Sequence, residues 1–267
     1  MSATAVGGRK GQHNHYKGLD GLRGLAVIAV VLYHGGVSWA AGGFLGVEAF
    51  FVLSGFLITS LLVAEWTRSG SIALRAFWGR RARRLLPGLL CLVSVIGIYY
   101  AFAGPAKAIP GLKADGLSTL LYAGNWHQIA SGSSYFGATG PVSPLKHTWS
   151  LAIEEQFYLF WPLLLLGVLW LVRRRKRSTG NGALVTLFWM SVAGAVASAV
   201  DMALLFRGGS GLDRVYYGTD TRAGGLLAGA ALALALALFA RRARPDAPTH
   251  DARMQRLGRR LDRKSVV

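Results

Sequence analysis

One cysteine and a shortage of acid set the first limits on this chain. Cys91 stands alone among 267 residues, so neither an intrachain disulfide nor a cysteine metal site can form. Twelve aspartates and glutamates face thirty lysines and arginines, a formal net charge of +18. In a soluble protein that imbalance would point to nucleic acid. Here only 16% of residues are charged, 52% are hydrophobic and the mean hydropathy is +0.38. The bases sit between apolar runs near twenty residues long, which excludes a soluble globule and argues against nucleic-acid binding. A solenoid repeat is lacking, as is a clear inverted pair of interrupted helices. Arg9, Lys10 and Lys17 precede the first apolar run, but no small-residue cleavage site follows, so that run reads as an uncleaved span.

What is present is the pattern of an all-α, polytopic transmembrane helix bundle. Six spans are expected, at residues 22–39, 44–64, 85–103, 149–172, 184–206 and 222–240, each boundary good to about four residues. Basic clusters occupy alternate loops, at Arg80-Arg81-Ala82-Arg83-Arg84, Arg173-Arg174-Arg175-Lys176-Arg177 and Arg241-Arg242-Ala243-Arg244. By the positive-inside rule these loops and the N-terminus are cytoplasmic, and residues 104–148 lie outside. Within that outer segment, residues 117–126 are too short to cross and are expected to be re-entrant or interfacial. The dispersed glycines let helices approach closely. Three regions follow: a basic cytoplasmic arm at 1–18, a membrane domain at 19–240, and a basic tail at 241–267. Met254, Leu257 and Leu261 in the tail could lay one face on an anionic membrane surface. The last six residues, Asp-Arg-Lys-Ser-Val-Val, match one reading frame of a widely used sequencing adapter, so the natural end is expected to be missing, with further spans beyond.

Two ionisable residues share the first span. Arg23 and His34 are eleven residues apart, about three helical turns or roughly 16 Å, so they face the same way. Charge in a bilayer is costly and usually marks a substrate path or proton-handling site. An imidazole with an ordinary pKa near 6.5 can accept a hydroxyl proton and return it, as a general base must. A structural reading stands beside this, with His34 bonding a neighbouring helix and Arg23 reaching the inner surface.

Further constellations follow along the chain. Gly46-Val47-Glu48-Ala49-Phe50-Phe51-Val52-Leu53-Ser54-Gly55-Phe56 puts Glu48 near the outer end of the second span; Ser54 lacks the strand-to-helix elbow of a serine nucleophile, and its phenylalanines suit packing. Arg81 and Arg84, at i and i+3, form a guanidinium pair able to grip phosphate, although such clusters also serve as topology signals. His147-Thr148-Trp149-Ser150-Leu151 opens the fourth span, with Glu154 and Glu155 less than two turns inside it. Either carboxylate could orient His34 by accepting its second ring proton, or pair with an arginine such as Arg222. Asp220 is expected to cap the sixth span beside Arg222.

Together these motifs resemble the acyltransferase 3 family of membrane O-acyltransferases. The resemblance covers about residues 19–240 through Arg23 and His34, the Gly-Val-acidic-x-Phe-Phe-Val-Leu-Ser-Gly-Phe run, Arg-Arg-x-x-Arg before Leu-Leu-Pro, and His-x-Trp-Ser-Leu-x-x-Glu-Glu-Gln-Phe-Tyr. It implies a catalytic His34, an Arg23 that supports it or the donor, and Arg81 and Arg84 engaging an acyl-coenzyme A co-substrate from the cytoplasm. Glu154 or Glu155 would complete the site, with Glu48, His147, Trp149, Asp220 and Arg222 as further candidates. The acceptor would be a hydroxyl of an envelope glycan or secondary metabolite, and the location a plasma membrane. No bound cofactor or metal is expected. Glu48 departs from the aspartate found in many members, and the family's later spans are absent after residue 240. A transporter or flippase using the same polar shaft, and an inactive membrane fragment, are the rival readings.

Overall fold

The computed structural model describes residues 17–105, 109–135, 143–174, 181–206 and 211–243. Most of the N-terminal arm, Arg175 to Arg177 of the second basic cluster and the tail from Arg244 onward lie outside the described residues.

Where water is absent, each backbone N–H and C=O must find its partner within the segment, so long apolar runs fold as helices. Among the described residues every regular element is helical. In chain order they are α1 (Lys17–His34), a 3-10 stretch (Ser38–Leu45), α2 (Gly46–Ser69), α3 (Leu74–Phe102), α4 (Ile109–Leu120), α5 (Gly124–Ala130), α6 (Trp149–Arg174), α7 (Gly182–Leu205), α8 (Leu212–Tyr217) and α9 (Thr219–Ala243). The helices α2, α3, α6, α7 and α9 are long and apolar enough to cross a membrane. The expected first span, α1, carries Lys17, Asp20 and Arg23 and stands outside that group; it also ends at His34, five residues before the expected limit. The third span begins eleven residues earlier than expected, at Leu74, because the arginines that read as loop continue the helix.

Contacts along the helices fix their directions. Phe51 meets Trp149 at 6.2 Å between ring centroids, and Trp161 Nε1 donates to Thr59 Oγ1 at 2.8 Å, so α2 and α6 run parallel. Glu48 meets Arg222 and Val52 meets Gly229, so α9 runs with them. Trp78 Nε1 donates to the Tyr158 carbonyl at 3.0 Å while Arg81 reaches Glu155, which sets α3 against α6. Ser198 approaches Gly224 and Gly194 approaches Leu227, so α7 opposes α9. This is the alternation that the basic loops demand.

Small residues bring α2 and α9 into backbone contact. A Cβ on Gly55 would fall on the Leu226 carbonyl, and one on Gly229 on the Val52 carbonyl. Without a hydrophobic drive between helices in lipid, that close approach supplies van der Waals packing that holds them together, beside the Glu48–Arg222 pair. One core cluster gathers Leu62, Phe77, Trp161, Leu165, Leu187 and Leu234 toward the Arg241 end. A second, aromatic cluster packs Phe51, Trp149, Ile153, Tyr216, Tyr217 and Leu226 at the His34 end.

The expected re-entrant piece is two short helices, α4 and α5, with a break between them where Tyr122 adopts a left-handed φ of 53°. Such a backbone is unfavourable for a bulky residue and persists only when its surroundings hold it. Here Gln156 Nε2 donates to the Tyr122 carbonyl at 2.8 Å and to Asn125 Oδ1 at 3.0 Å. Asn125 Nδ2 donates to the Tyr217 carbonyl and to Thr219 Oγ1, whose own hydroxyl donates to Gln156 Oε1 at 2.6 Å. Buried amides are stabilising when every group is matched. This ring of bonds locks α5 to α6 and to the start of α9.

Candidate active site

His34 is the last residue of α1, exposed, and bonded through both ring nitrogens. Its Nδ1 lies 2.8 Å from the Val30 carbonyl one turn back. A carbonyl only accepts, so Nδ1 carries the hydrogen and Nε2 of the neutral ring presents a lone pair. The Tyr135 hydroxyl fills that position at 3.1 Å, donating to Nε2. His147 stands edge-on to the His34 ring, 4.8 Å between centroids, and Tyr33 does the same at 5.3 Å.

Tyr135 is itself held from several sides. Its backbone N–H donates to Asp213 Oδ1 at 2.7 Å, and the preceding Ser134 carbonyl accepts from the buried Lys146 ammonium, which also lies 5.5 Å from the Tyr135 ring centroid. Its ring packs on Tyr216 at 4.4 Å and on Trp149 at 6.3 Å. Burial pushes the Tyr135 phenol above its ordinary value, so it stays a proton donor through neutral pH.

The remaining expected residues fall into three separate groups. Glu48 pairs with Arg222, whose Nε donates to the Tyr216 carbonyl at 3.0 Å and whose guanidinium lies 4.6 Å from the Tyr216 ring centroid. Arg222 therefore meets Glu48 and not Glu154 or Glu155. Asp220 accepts from the Thr221 backbone N–H at 3.0 Å, as a terminal carboxylate does, but it is also clasped by both terminal nitrogens of Arg214. A plain helix cap is too small a description of it.

Neither Glu154 nor Glu155 is bonded to His34. Glu155 accepts from Arg81 Nε at 2.8 Å, and the Arg81 guanidinium carbon lies over the Tyr158 ring, 3.2 Å from its centroid. Glu154 accepts from the Tyr158 hydroxyl at 3.3 Å. The two carboxylates sit roughly 8–9 Å along α6 from its first residue, and the tertiary fold brings Arg81 to them and leaves His34 to the backbone of its own helix. Arg81 is thereby committed to protein, whereas Arg80, Arg83 and Arg84 point outward, exposed. Arg23 is half-buried three turns down the unbroken α1 from His34. Ser54 is buried within α2.

Sequence reasoning missed Tyr135, Lys146, Asp213 and Tyr216. Tyr158 and Gln156 lay inside a quoted motif without a role. Tyr135 carried no local signal at all, because only the fold carries it across 101 positions to His34. Behind Tyr216 an apolar recess of about 390 Å³ is lined by Phe44, Met202, Phe206, Leu212 and Val215, with Arg222 on its wall. Its lining is otherwise apolar.

The fold and this site define a multi-pass helical membrane protein with a tautomer-fixed imidazole at one end of its bundle. The chain belongs to the acyltransferase 3 family: the family model described as "Acyltransferase domain" matches residues 16–244. It is 47% identical over 215 residues to the peptidoglycan O-acetyltransferase OatA of Listeria monocytogenes, covering 80% of this chain and 33% of that protein. It is 43% identical to the putative peptidoglycan O-acetyltransferase YrhL of Bacillus subtilis, over 84% of this chain and 34% of that one. The O-acetyltransferase OatA of Staphylococcus aureus is 42% identical, over 84% and 35%. The chain thus spans about a third of the length of these relatives. No solved structure matches it.

Proposed function

We propose that this chain carries the membrane part of an O-acyltransferase, one that moves an acyl group from a cytoplasmic acyl-coenzyme A to a hydroxyl of an envelope glycan. The observation that carries the reading is the bonding of His34. With Nδ1 tied to the Val30 carbonyl, Nε2 carries the lone pair, which the Tyr135 hydroxyl meets at 3.1 Å, on a residue that is itself exposed. A base fixed in one tautomer loses no time or free energy reorienting before it takes a proton.

In this reading the N-terminus is cytoplasmic, the His34 end faces outward, and the Arg241 end faces the cytoplasm. Arg80, Arg83 and Arg84 are the cations left to meet the donor's phosphates, and Arg81 supports them by holding α3 to α6. Arg23 lies between the two sides on the same face of α1 as His34. The names of the relatives support peptidoglycan as the glycan.

The test is His34→Ala in the full-length protein, with transferred acetate on purified cell-wall glycan measured by mass spectrometry. Removing a general base is expected to lower transfer by about 10²–10⁴-fold while membrane abundance is unchanged. Unaltered acetate in the variant would remove His34 from the chemistry. Labelled acyl groups that move without becoming esterified would favour transport.

A further inference from the structure

Trp126, Arg214 and Asp220 come together at the His34 end of the bundle, outside the groups given to the base and the donor. Trp126 stands on α5 and is 42% exposed. The Arg214 guanidinium, from α8, lies 5.4 Å from the Trp126 ring centroid. Both of its terminal nitrogens clasp the Asp220 carboxylate in the first turn of α9, Nη1 meeting Oδ1 at 2.8 Å. The three are held in place by their neighbours. The Asn125 amide beside Trp126 is bonded to the Tyr217 carbonyl and to Thr219 Oγ1, which fixes α5 against the ends of α8 and α9. A Cβ on Gly218, between those two helices, would fall on Arg214 Nη1 and Asp220 Oδ1, so glycine there makes room for the ion pair.

Their chemistry selects a neutral ligand rich in hydroxyls. Arg214 and Asp220 cancel each other's charge, so the pair has little pull on a phosphate or an ammonium. What remains are hydrogen-bonding positions and an open ring. Asp220 Oδ2 accepts from Arg214 and keeps a second lone pair. The Trp126 indole N–H is bonded to no described residue. The indole face carries the negative side of the aromatic quadrupole. A sugar ring has the matching set, with C–H bonds of partial positive charge on one face and hydroxyls that donate and accept around its edge.

We propose that Trp126, Arg214 and Asp220 form a sugar-binding platform, which holds a neighbouring ring of the glycan chain that is acylated. This rests on the reading of an envelope glycan as acceptor. The position fits that task. Asp213, next to Arg214 in α8, accepts from the Tyr135 backbone N–H at 2.7 Å, and the Tyr135 side chain reaches His34. Platform and base are joined through these two contacts, close enough for one glycan chain to engage both.

The experiment uses the full-length protein in nanodiscs with a soluble peptidoglycan oligomer, and pairs two measurements. Saturation-transfer NMR, irradiating the aromatic protons, reads binding of the oligomer without any donor. Steady-state transfer from acetyl-coenzyme A reads catalysis. Trp126→Leu keeps the apolar bulk that a membrane-interface anchor needs and removes the flat aromatic face, whereas Trp126→Tyr keeps both. In the wild type, saturation should reach the C–H protons of a sugar ring. Trp126→Leu should lose most of that signal and raise the acceptor KM about tenfold, with kcat and the donor KM within about twofold, as loss of a binding contact alone does. Trp126→Tyr should restore both readings, which a fault in folding would not predict. A wild type without saturation transfer, a Trp126→Leu protein that matches it, or a Trp126→Tyr protein that restores neither reading overturns the platform. If acetate reaches the glycan and Trp126→Leu leaves the acceptor KM unchanged, the platform fails and the acyltransferase reading stands. If the oligomer binds through Trp126 and receives no acetate, the platform stands and the glycan-acceptor reading fails.

Discussion

Replacing Glu155 by glutamine keeps the shape of the side chain and removes its charge. Arg81 stays behind, its guanidinium over the Tyr158 ring and its Nε 2.8 Å from the former carboxylate oxygen. The two side chains are 18% and 12% exposed, so water can do little to replace the lost partner. At that separation the attraction is about 6 kcal/mol for an effective dielectric constant near 20. Much of it offsets the cost of desolvating the two ions, and glutamine keeps a neutral hydrogen bond, so a loss of about 3 kcal/mol is expected, as when one partner of a buried pair is removed. At about 2–4 °C per kcal/mol for a chain of this size, Tm should fall by about 6–12 °C. Thermal unfolding of the detergent-solubilised protein, followed by tryptophan fluorescence, measures it. The Arg81→Met, Glu155→Leu double variant removes both charges together and should recover most of the stability. A shift under about 1 °C for Glu155→Gln, or a double variant no more stable than the single one, would refute the argument that the pair is a buried lock between α3 and α6.

Two further outcomes follow from the packing. Gly229→Leu should separate α2 from α9, because the new side chain meets the Val52 carbonyl, which is backbone and cannot swing aside; Gly88→Ala in α3, with open space around it, should be neutral or slightly stabilising. Monodispersity on size exclusion and abundance in the membrane fraction report the contrast, and a well-behaved Gly229→Leu would contradict the close approach. Thr59→Val strands the Trp161 indole N–H, which is buried and bonded to Thr59 Oγ1 at 2.8 Å, and should cost about 1–3 kcal/mol in the same unfolding assay. A cost below about 0.5 kcal/mol would mean that the indole finds another acceptor.

The membrane class and the alternation of spans were determined by local sequence. Apolar runs must become helices in lipid, and the placement of bases sets their direction, so the parallel α2, α6 and α9 were legible before any contact was known. The arginine-to-histidine spacing on α1 was equally local, since three turns of one helix need no partner. Pairing was not local. Glu154 and Glu155 have the same chemistry as any carboxylate that could orient His34, and whether they meet an imidazole, Arg222 or Arg81 depends on where three other helices lie. The fold gave Glu155 to Arg81, Glu48 to Arg222, and His34 to the Val30 carbonyl and Tyr135. Tyr135 shows the limit most sharply: its place beside His34 is a contact across 101 positions, fixed by Asp213 and Lys146 from two other segments. A sequence states which groups can donate, accept or carry charge, but only packing decides which of them come within 3 Å of one another.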